Sequence, residues 1–123
     1  MGKIGGFKEF NRADEGNIAV VERVANYNEF TIALPKDKIK EQGSRCMDCG
    51  IPFCHSSCPL GNLIPDFNDM VHQEEWQSAL EILQSTNNFP EFTGRLCPAP
   101  CAKSCVLGII KEPVAIENIE KNI

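Results

Sequence analysis

Seven cysteines lie in two short stretches of this chain of 123 residues. The first stretch holds four and the second three: Cys46, Cys49, Cys54 and Cys58, then Cys97, Cys101 and Cys105. A disulfide framework pairs its cysteines and spreads them through the fold, whereas ligands of a metal centre are grouped. The grouping therefore indicates metal ligation. Two four-coordinate centres need eight ligands, so we expect one ligand that is not cysteine.

The spacing of the first stretch predicts how the thiols divide. From Cys46 it reads C-x2-C-x4-C-x3-C-P. Bacterial ferredoxins use C-x2-C-x2-C-x3-C-P, in which the first three thiolates bind one 4Fe-4S cluster and the fourth binds another. We therefore expect Cys58 to serve a different cluster from the three cysteines before it. If the crossover is reciprocal, Cys105 is the natural candidate to return to the first cluster. The second cluster then has Cys58, Cys97, Cys101 and a ligand of another type.

The C-terminal residues 113–123 offer a candidate for that last ligand. Proline is tolerated in a first helical turn, and after Pro113 three isoleucines follow at helical spacing: Ile116, Ile119 and Ile123. Glu120 falls on this apolar face, whereas Glu117 points to the side. A buried carboxylate is costly unless it is paired or bound to a metal. Glu120 is therefore the candidate ligand, and the alternative is a frayed helix with a solvated Glu120.

Other uses of the cysteines fit the sequence less well. Zinc sites usually contain two C-x2-C pairs, or one such pair with two histidines three to five residues apart. Only one C-x2-C occurs here, and His55 and His72 are too far apart for a histidine pair. The glycine-rich residues 1–10 contain no apolar core of a secretory signal, so an oxidising compartment is not indicated. Iron-sulfur clusters are favoured, and a cytoplasmic location is expected.

Composition limits the remaining function classes. The chain has room for one domain, and 42% hydrophobic residues permit a modest core. The net charge of −5 argues against a nucleic-acid ligand, which usually requires a basic surface. No apolar run approaches the length of a membrane span. We expect neither nucleic acid nor membrane as a partner.

The segments around the cysteines are predicted to form an all-α domain. Residues 46–123 are expected to be the two-cluster domain, and residues 1–45 an irregular extension that packs on it. The extension is predicted to hold three short elements: a helix around 18–25, an extended segment at 31–34 and a helical turn at 36–42.

Two helices are predicted between the cysteine stretches. Asn62 is expected to cap the first, with Pro65 in its first turn and Leu63 and Phe67 on its apolar face. The second begins near Trp76, and a turn follows at residues 87–90. Both helices are expected to face the core and shield the clusters.

Longer stretches of the chain resemble a known family. The resemblance is carried by residues 45–54 (RCMDCGIPFC), 58–65 (CPLGNLIP) and 86–101 (TNNFPEFTGRLCPAPC). They look like the N-terminal iron-sulfur domain of the glutamate synthase small (beta) subunit, which is related to the N-terminal domain of dihydropyrimidine dehydrogenase. The resemblance extends from about Gly5 to the last residue. It implies a small α-helical ferredoxin-type domain organised around two 4Fe-4S clusters.

The resemblance also implies two ligand sets. By matching positions, the first ligand set is Cys46, Cys49, Cys54 and Cys105. The second ligand set is Cys58, Cys97, Cys101 and Glu120. This division agrees with the one argued from spacing.

The family's activity requires more than this sequence contains. In the family, FAD on the small subunit takes hydride from NADPH, and electrons cross the clusters to the large (alpha) subunit, where FMN reduces 2-iminoglutarate. The chain lacks the G-x-G-x-x-G motif of a nucleotide-binding domain, so such a domain is expected in cis or in trans and this chain alone is not expected to be catalytic. Two alternatives stay open: a relay domain of another flavoprotein oxidoreductase, and an interaction domain that is zinc-loaded or cluster-free.

Overall fold

Helices dominate the computed structural model, which describes residues 2–123. In chain order they are α1 (Gly6–Glu9), α2 (Val20–Arg23), α3 (Lys36–Ser44), α4 (Phe53–Ser57), α5 (Ile64–Gln73), α6 (Trp76–Gln84), α7 (Pro90–Leu96), α8 (Pro100–Lys103) and α9 (Ile116–Asn122). A 3₁₀ helix (Val106–Ile109) lies between α8 and α9. Strands β1 (Gly16–Asn17) and β2 (Thr31–Ile32) form one antiparallel pair. The predicted helical fold class is confirmed.

Residues 2–34 consist of short elements on the outside of the molecule. The short helix predicted around 18–25 is present as α2. The valines in it and at its C-terminal end face solvent: Val20, Val21 and Val24. Side-chain hydrogen bonds at several points join this part to the rest, including those donated by Arg12, Gln42, Lys111 and Lys121. The Arg12 guanidinium donates to the Pro113 carbonyl (3.2 Å), and the Gln42 amide donates to the Asn11 carbonyl (3.2 Å).

The hydrophobic core lies where α3, α5 and α6 pack together. Its fully buried side chains include one from α3 and two from each of the others: Ile39, then Phe67 and Val71, then Ala79 and Leu83. The pairs are four residues apart, which places them on one helical face. Helices α3 and α5 approach closely, since a Cβ on Gly43 would lie 2.9 Å from the Asn68 carbonyl oxygen. Both helices predicted between the cysteine stretches are confirmed.

The start of α5 differs from the prediction. Leu63 occupies the N-cap position, no side chain caps the helix, and Leu63 is 39% exposed rather than packed on the apolar face. The Asn62 amide donates instead to the Glu120 carboxylate. Hydrogen bonds to an ionised group are stronger than those to a neutral partner, and Pro65 has no N–H that needs a cap. The Asn62 Oδ1, which is the atom that would cap the helix, accepts instead from the Thr86 hydroxyl.

The C-terminal helix begins later than predicted. Proline was expected in its first turn, but α9 starts at Ile116. The carbonyls of Glu112 and Pro113 accept hydrogen bonds from the Arg45 guanidinium (2.7 and 3.1 Å), which holds this segment outside the helix. Within α9 the predicted pattern is confirmed, because Glu120 is 8% exposed on the same buried face as two of the isoleucines, Ile116 and Ile119.

Helix α7 was not anticipated from the sequence. The predicted turn at 87–90 leads directly into it, with Pro90 in its first turn. It packs against α9 at Gly94, where a Cβ would lie 2.7 Å from the Cβ of Lys121. Only glycine allows this contact, which brings the end of α7 close to Glu120 on α9.

Candidate iron-sulfur sites

The structure brings the four thiols of the first ligand set to one cavity. Cys46, Cys49, Cys54 and Cys105 all line it, although the last is separated from the others by about half the chain. The remaining walls are mostly apolar and come from α5, the 3₁₀ helix and the start of α9: Ile64, Pro65, Leu107, Val114 and Ile116. Thiols on an apolar wall fit a site that holds a sulfur-rich group away from water.

The pKa shifts in this cavity show that the same thiols lie close enough to act on one another. Burial, together with the neighbouring Cys46 and Cys105, raises the pKa of Cys54 to about 12. Burial likewise raises the pKa of Cys49, and Cys105 contributes in the same direction. Thiolates so close together repel each other, so the arrangement favours a positively charged group that binds all of them.

The second ligand set also gathers around one thiol. Cys101 lies in α8 and is buried. Burial raises its pKa to about 12, and Cys58, Glu120 and Cys97 each add to the increase. Cys58 ends α4, Cys97 ends α7, and Glu120 lies in α9. The three cysteines therefore lie at helix ends and the glutamate on a helix face, and together these elements bring the four groups close to one another.

Three side chains hold the Glu120 carboxylate in place. The Asn87 amide donates to Oε1 (2.8 Å), the Thr93 hydroxyl also donates to Oε1, and the Asn62 amide donates to Oε2 (3.2 Å). Burial raises the pKa of Glu120, and these hydrogen bonds partly oppose that increase. An ionised carboxylate has about four lone-pair positions, so one on Oε2 stays available for a metal.

The three donors to Glu120 were not identified as site residues from the sequence. Asn62 was interpreted as a helix cap, and Asn87 as part of a turn. The Thr86 hydroxyl donates to the side-chain Oδ1 of Asn62 (2.8 Å), which fixes the orientation of that amide. The nearest sequence signal is the buried glutamate itself, because a carboxylate on an apolar face needs donors from other elements.

The two sets interleave through a pair of short helices. Helix α4 carries Cys54 and ends at Cys58, while α8 carries Cys101 and leads to Cys105. The two helices pack together, and the Ser57 hydroxyl donates to the Ser104 hydroxyl (2.5 Å). Each helix therefore presents one cysteine to each set.

Two local turns carry unusual backbone angles. Asp48, between Cys46 and Cys49, has φ +50°, a left-handed conformation that Asp tolerates better than most residues. Ala99 has φ +48° and lies between two prolines, midway between Cys97 and Cys101. A left-handed alanine is strained and persists only where its surroundings fix it. Here it starts α8 so that Cys101 faces inward.

Comparison with known proteins decides the family. The profile described as dihydropyrimidine dehydrogenase domain II, 4Fe-4S cluster, matches residues 23–123. The chain belongs to this 4Fe-4S domain family. The family resemblance argued from the sequence is confirmed. The chain is an iron-sulfur electron-transfer domain.

The 4Fe-4S domain also has similar full-length relatives. The glutamate synthase [NADPH] small chain of Mycobacterium tuberculosis is 54% identical over 82% of this chain and 21% of its own length. The corresponding small chain of Bacillus subtilis is 46% identical over all of this chain and 27% of its own length. The glutamate synthase [NADH] of Saccharomyces cerevisiae is 49% identical over 98% of this chain and 6% of its own length. The chain spans about a quarter or less of these relatives.

Several buried polar groups of this 4Fe-4S domain suit a sulfur-rich ligand. The Asn68 amide lines the first cavity without a hydrogen bond, and His55 Nε2 and Arg45 Nε are also buried without a partner. Arg45 is 1% exposed; burial lowers the pKa of its guanidinium, and the neighbouring Cys105 opposes that decrease. Buried donors without acceptors are rare, and sulfides and thiolates would supply acceptors for them. The residues present fit the group.

Residues 2–123 contain no group of three or more His, Cys, Asp or Glu side chains positioned to hold a single metal ion. In a zinc site all four ligands lie within about 2.3 Å of one ion, whereas in a four-iron cluster the thiolates bind different iron atoms.

No helix within residues 2–123 combines the length and apolar character needed to cross a membrane.

Proposed function

We propose that this chain binds two 4Fe-4S clusters, one on each ligand set, and relays electrons between a flavin and the large subunit of a glutamate synthase. The observation that carries the proposal is the cavity lined by thiols from both cysteine stretches. Glu120, buried beside Cys101 and held by three donors, supports the second site. The printed names of the similar small chains support the wider setting.

When bound, such clusters accept and release single electrons at potentials that the protein sets. The chain's own residues hold the two sites at a fixed separation, because α4 and α8 each serve both. Apolar side chains around the first cavity exclude water. The buried Arg45 guanidinium places a positive charge near Cys105, which offsets part of the negative charge of four thiolates.

The partners in this proposal are an FAD- and NADPH-binding domain, in cis or in trans, and the glutamate synthase large subunit. Among the relatives, some are named for NADPH and others for NADH. The choice between the two nucleotides is therefore made by the nucleotide-binding domain and not by the cluster domain. Residues 1–45 are proposed to pack on the cluster domain, which the hydrogen bonds of Arg12 and Arg45 to the carbonyls of residues 112–113 support. We also propose a cytoplasmic location.

The cluster content is tested by purifying the chain without oxygen. We expect a brown protein with absorption near 400 nm and about eight iron and eight sulfide per chain, as two four-iron clusters require. A colourless protein with stoichiometric zinc contradicts the proposal and favours the interaction-domain alternative.

The relay is tested by mixing the loaded chain with an FAD-containing enzyme domain that oxidises NADPH. We expect the absorption near 400 nm to bleach on addition of NADPH. The same mixture without the flavin domain is the control and should not bleach. Clusters that are fully loaded yet stay oxidised in the complete mixture contradict the relay.

A further inference from the structure

Asn68 is a fully buried polar residue in the wall of the first cavity. It lies in α5, is 0% exposed, and shares the cavity with the four thiols of the first ligand set. The adjacent lining from α5 is apolar, with Ile64 and Pro65 one turn earlier. A polar side chain in this wall is unexpected for packing alone, since an apolar side chain would line it without the cost of burying an amide.

The Asn68 amide differs from the other buried amides of residues 2–123. Gln42 donates to the Asn11 carbonyl and accepts from the Ala13 N–H. Asn62 and Asn87 both donate to Glu120. In contrast, neither Nδ2 nor Oδ1 of Asn68 completes a hydrogen bond. A buried amide without partners, where the other buried amides are paired, calls for a ligand.

The cavity offers the amide only sulfur partners. Apart from Asn68, the polar side chains that line it are the four thiols of the first ligand set. The sulfides and thiolates of a cluster bound there would accept hydrogen bonds and donate none, so Nδ2–H is the part of the Asn68 amide that they can pair with.

We propose that Asn68 is a positioning residue that donates its Nδ2–H to a sulfur of the first cluster and raises the reduction potential of that cluster. The proposal rests on the assignment of the first ligand set made above. Reduction adds negative charge to the cluster, and a hydrogen-bond donor stabilises the more negative form. Hydrogen bonds to sulfur are among the main determinants of cluster potential. Asn68 has no counterpart in the second ligand set, whose amides are directed to Glu120.

The test is Asn68→Leu in the cluster-loaded chain, prepared without oxygen and titrated with a reductant while each cluster is followed by electron paramagnetic resonance. Iron content should stay at the wild-type level. One of the two midpoint potentials should shift to a more negative value, and the other should stay unchanged. The change removes the donor and keeps the branching and the number of heavy atoms of the side chain.

Gln42→Leu is the matched control. It also replaces a buried amide by leucine, but the Gln42 amide is fully paired with backbone groups. We expect this variant to unfold at a lower temperature and to keep both midpoint potentials. A merely structural role for Asn68 would make the two variants behave alike.

A measurement on the unmodified protein guards against a variant that does not fold. The chain is produced with ¹⁵N-labelled asparagine side chains, and pulsed electron paramagnetic resonance of the reduced first cluster should show coupling to the labelled nitrogen. No coupling, or unchanged potentials in a loaded Asn68→Leu chain, overturns the inference and leaves the proposed function intact. A wild-type chain in which the first ligand set carries no cluster overturns both.

Discussion

At the scale of single residues, Glu120 is the group whose surroundings say most about its role. It is buried beside Cys101, and donors from three different places in the chain hold its two oxygens. A carboxylate is a harder ligand than a thiolate. A cluster that exchanges one thiolate for Glu120 should therefore differ in potential from one with four thiolates.

Replacing this carboxylate tests its role as a ligand. We expect Glu120→Ala to reduce the iron content from about eight toward about four per chain, because only the second cluster loses a ligand. Iron and sulfide analysis with electron paramagnetic resonance measures the loss. Glu117→Ala, the same change one turn earlier on α9, is the control and should retain about eight. Equal iron contents and spectra in both variants contradict the assignment.

The buried thiols give a pH prediction for the chain after its clusters are removed. Burial raises the pKa of Cys54 and Cys101 to about 12 from an ordinary value of 9.0. Only thiolates react with iodoacetamide. Alkylation at these two positions should therefore keep accelerating as the pH rises beyond 9.0, which mass spectrometry of each peptide can follow. The urea-unfolded chain is the control and should level off near 9.0; identical profiles in both states contradict the burial.

At the scale of elements, the contact between α7 and α9 positions the second ligand set. Cys97 ends α7 and Glu120 lies in α9, and Gly94 lets the two helices approach within side-chain contact. A methyl group at residue 94 would meet the backbone and Cβ of Lys121 at less than 3.0 Å. The neighbouring atoms are main chain, so they cannot move aside without shifting α9.

Gly94→Ala is therefore expected to destabilise the chain by about 1–3 kcal/mol, the usual cost of overpacking. It should also alter the spectrum of the second cluster more than that of the first. Urea unfolding and electron paramagnetic resonance of the loaded chain provide the two measurements. Gly50→Ala is the control, because a Cβ there meets nothing within 4 Å. A Gly94→Ala chain as stable as Gly50→Ala would contradict the close contact.

The sequence predicted elements well where a helix has a regular apolar face. Helices α5 and α6 show this spacing, and both are present. Prediction failed where a contact from elsewhere in the chain decided the outcome. Asn62 turned to Glu120 rather than to its helix end, and Arg45 held the residues before α9 outside the helix. Spacing along one segment carries no information about such partners.

At the scale of the whole molecule, the buried Arg45 and the partly buried Arg12 connect the N-terminal half to the C-terminal segment. Arg45 and Arg12 both donate to the Pro113 carbonyl, and Arg45 also donates to the Glu112 carbonyl. These bonds join parts of the chain that are far apart in sequence. They also hold the segment between Cys105 and α9 in place. This fixes the position of one ligand set relative to the other.

Loss of this connection should weaken the entire fold. We expect Arg45→Met to lower the free energy of unfolding by about 2–4 kcal/mol, since hydrogen bonds to charged groups are worth about 1.5–3 kcal/mol each. Urea unfolding of the loaded chain measures the change. Arg95→Met removes an exposed guanidinium paired with Glu29 and should cost about 0–1 kcal/mol. Similar losses in both variants contradict the structural role of Arg45.

The site was predictable to the extent that counting and spacing determine it. An odd number of thiols required a ligand of another type, and the isoleucine spacing pointed to Glu120 on a buried face. The groups around the ligands were not predictable. Asn68, Asn87 and Thr93 acquire their roles only when α5, α7 and α9 come together, and no local pattern marks them.

The central claim is that the two ligand sets interleave, and paired serine substitutions test it most directly. Each variant is loaded without oxygen and its remaining cluster is identified by electron paramagnetic resonance after reduction. Cys105→Ser should abolish the same cluster as Cys49→Ser, and Cys58→Ser the same cluster as Cys97→Ser. Loss of one cluster by both Cys49→Ser and Cys58→Ser, and of the other by both Cys97→Ser and Cys105→Ser, would contradict the interleaving.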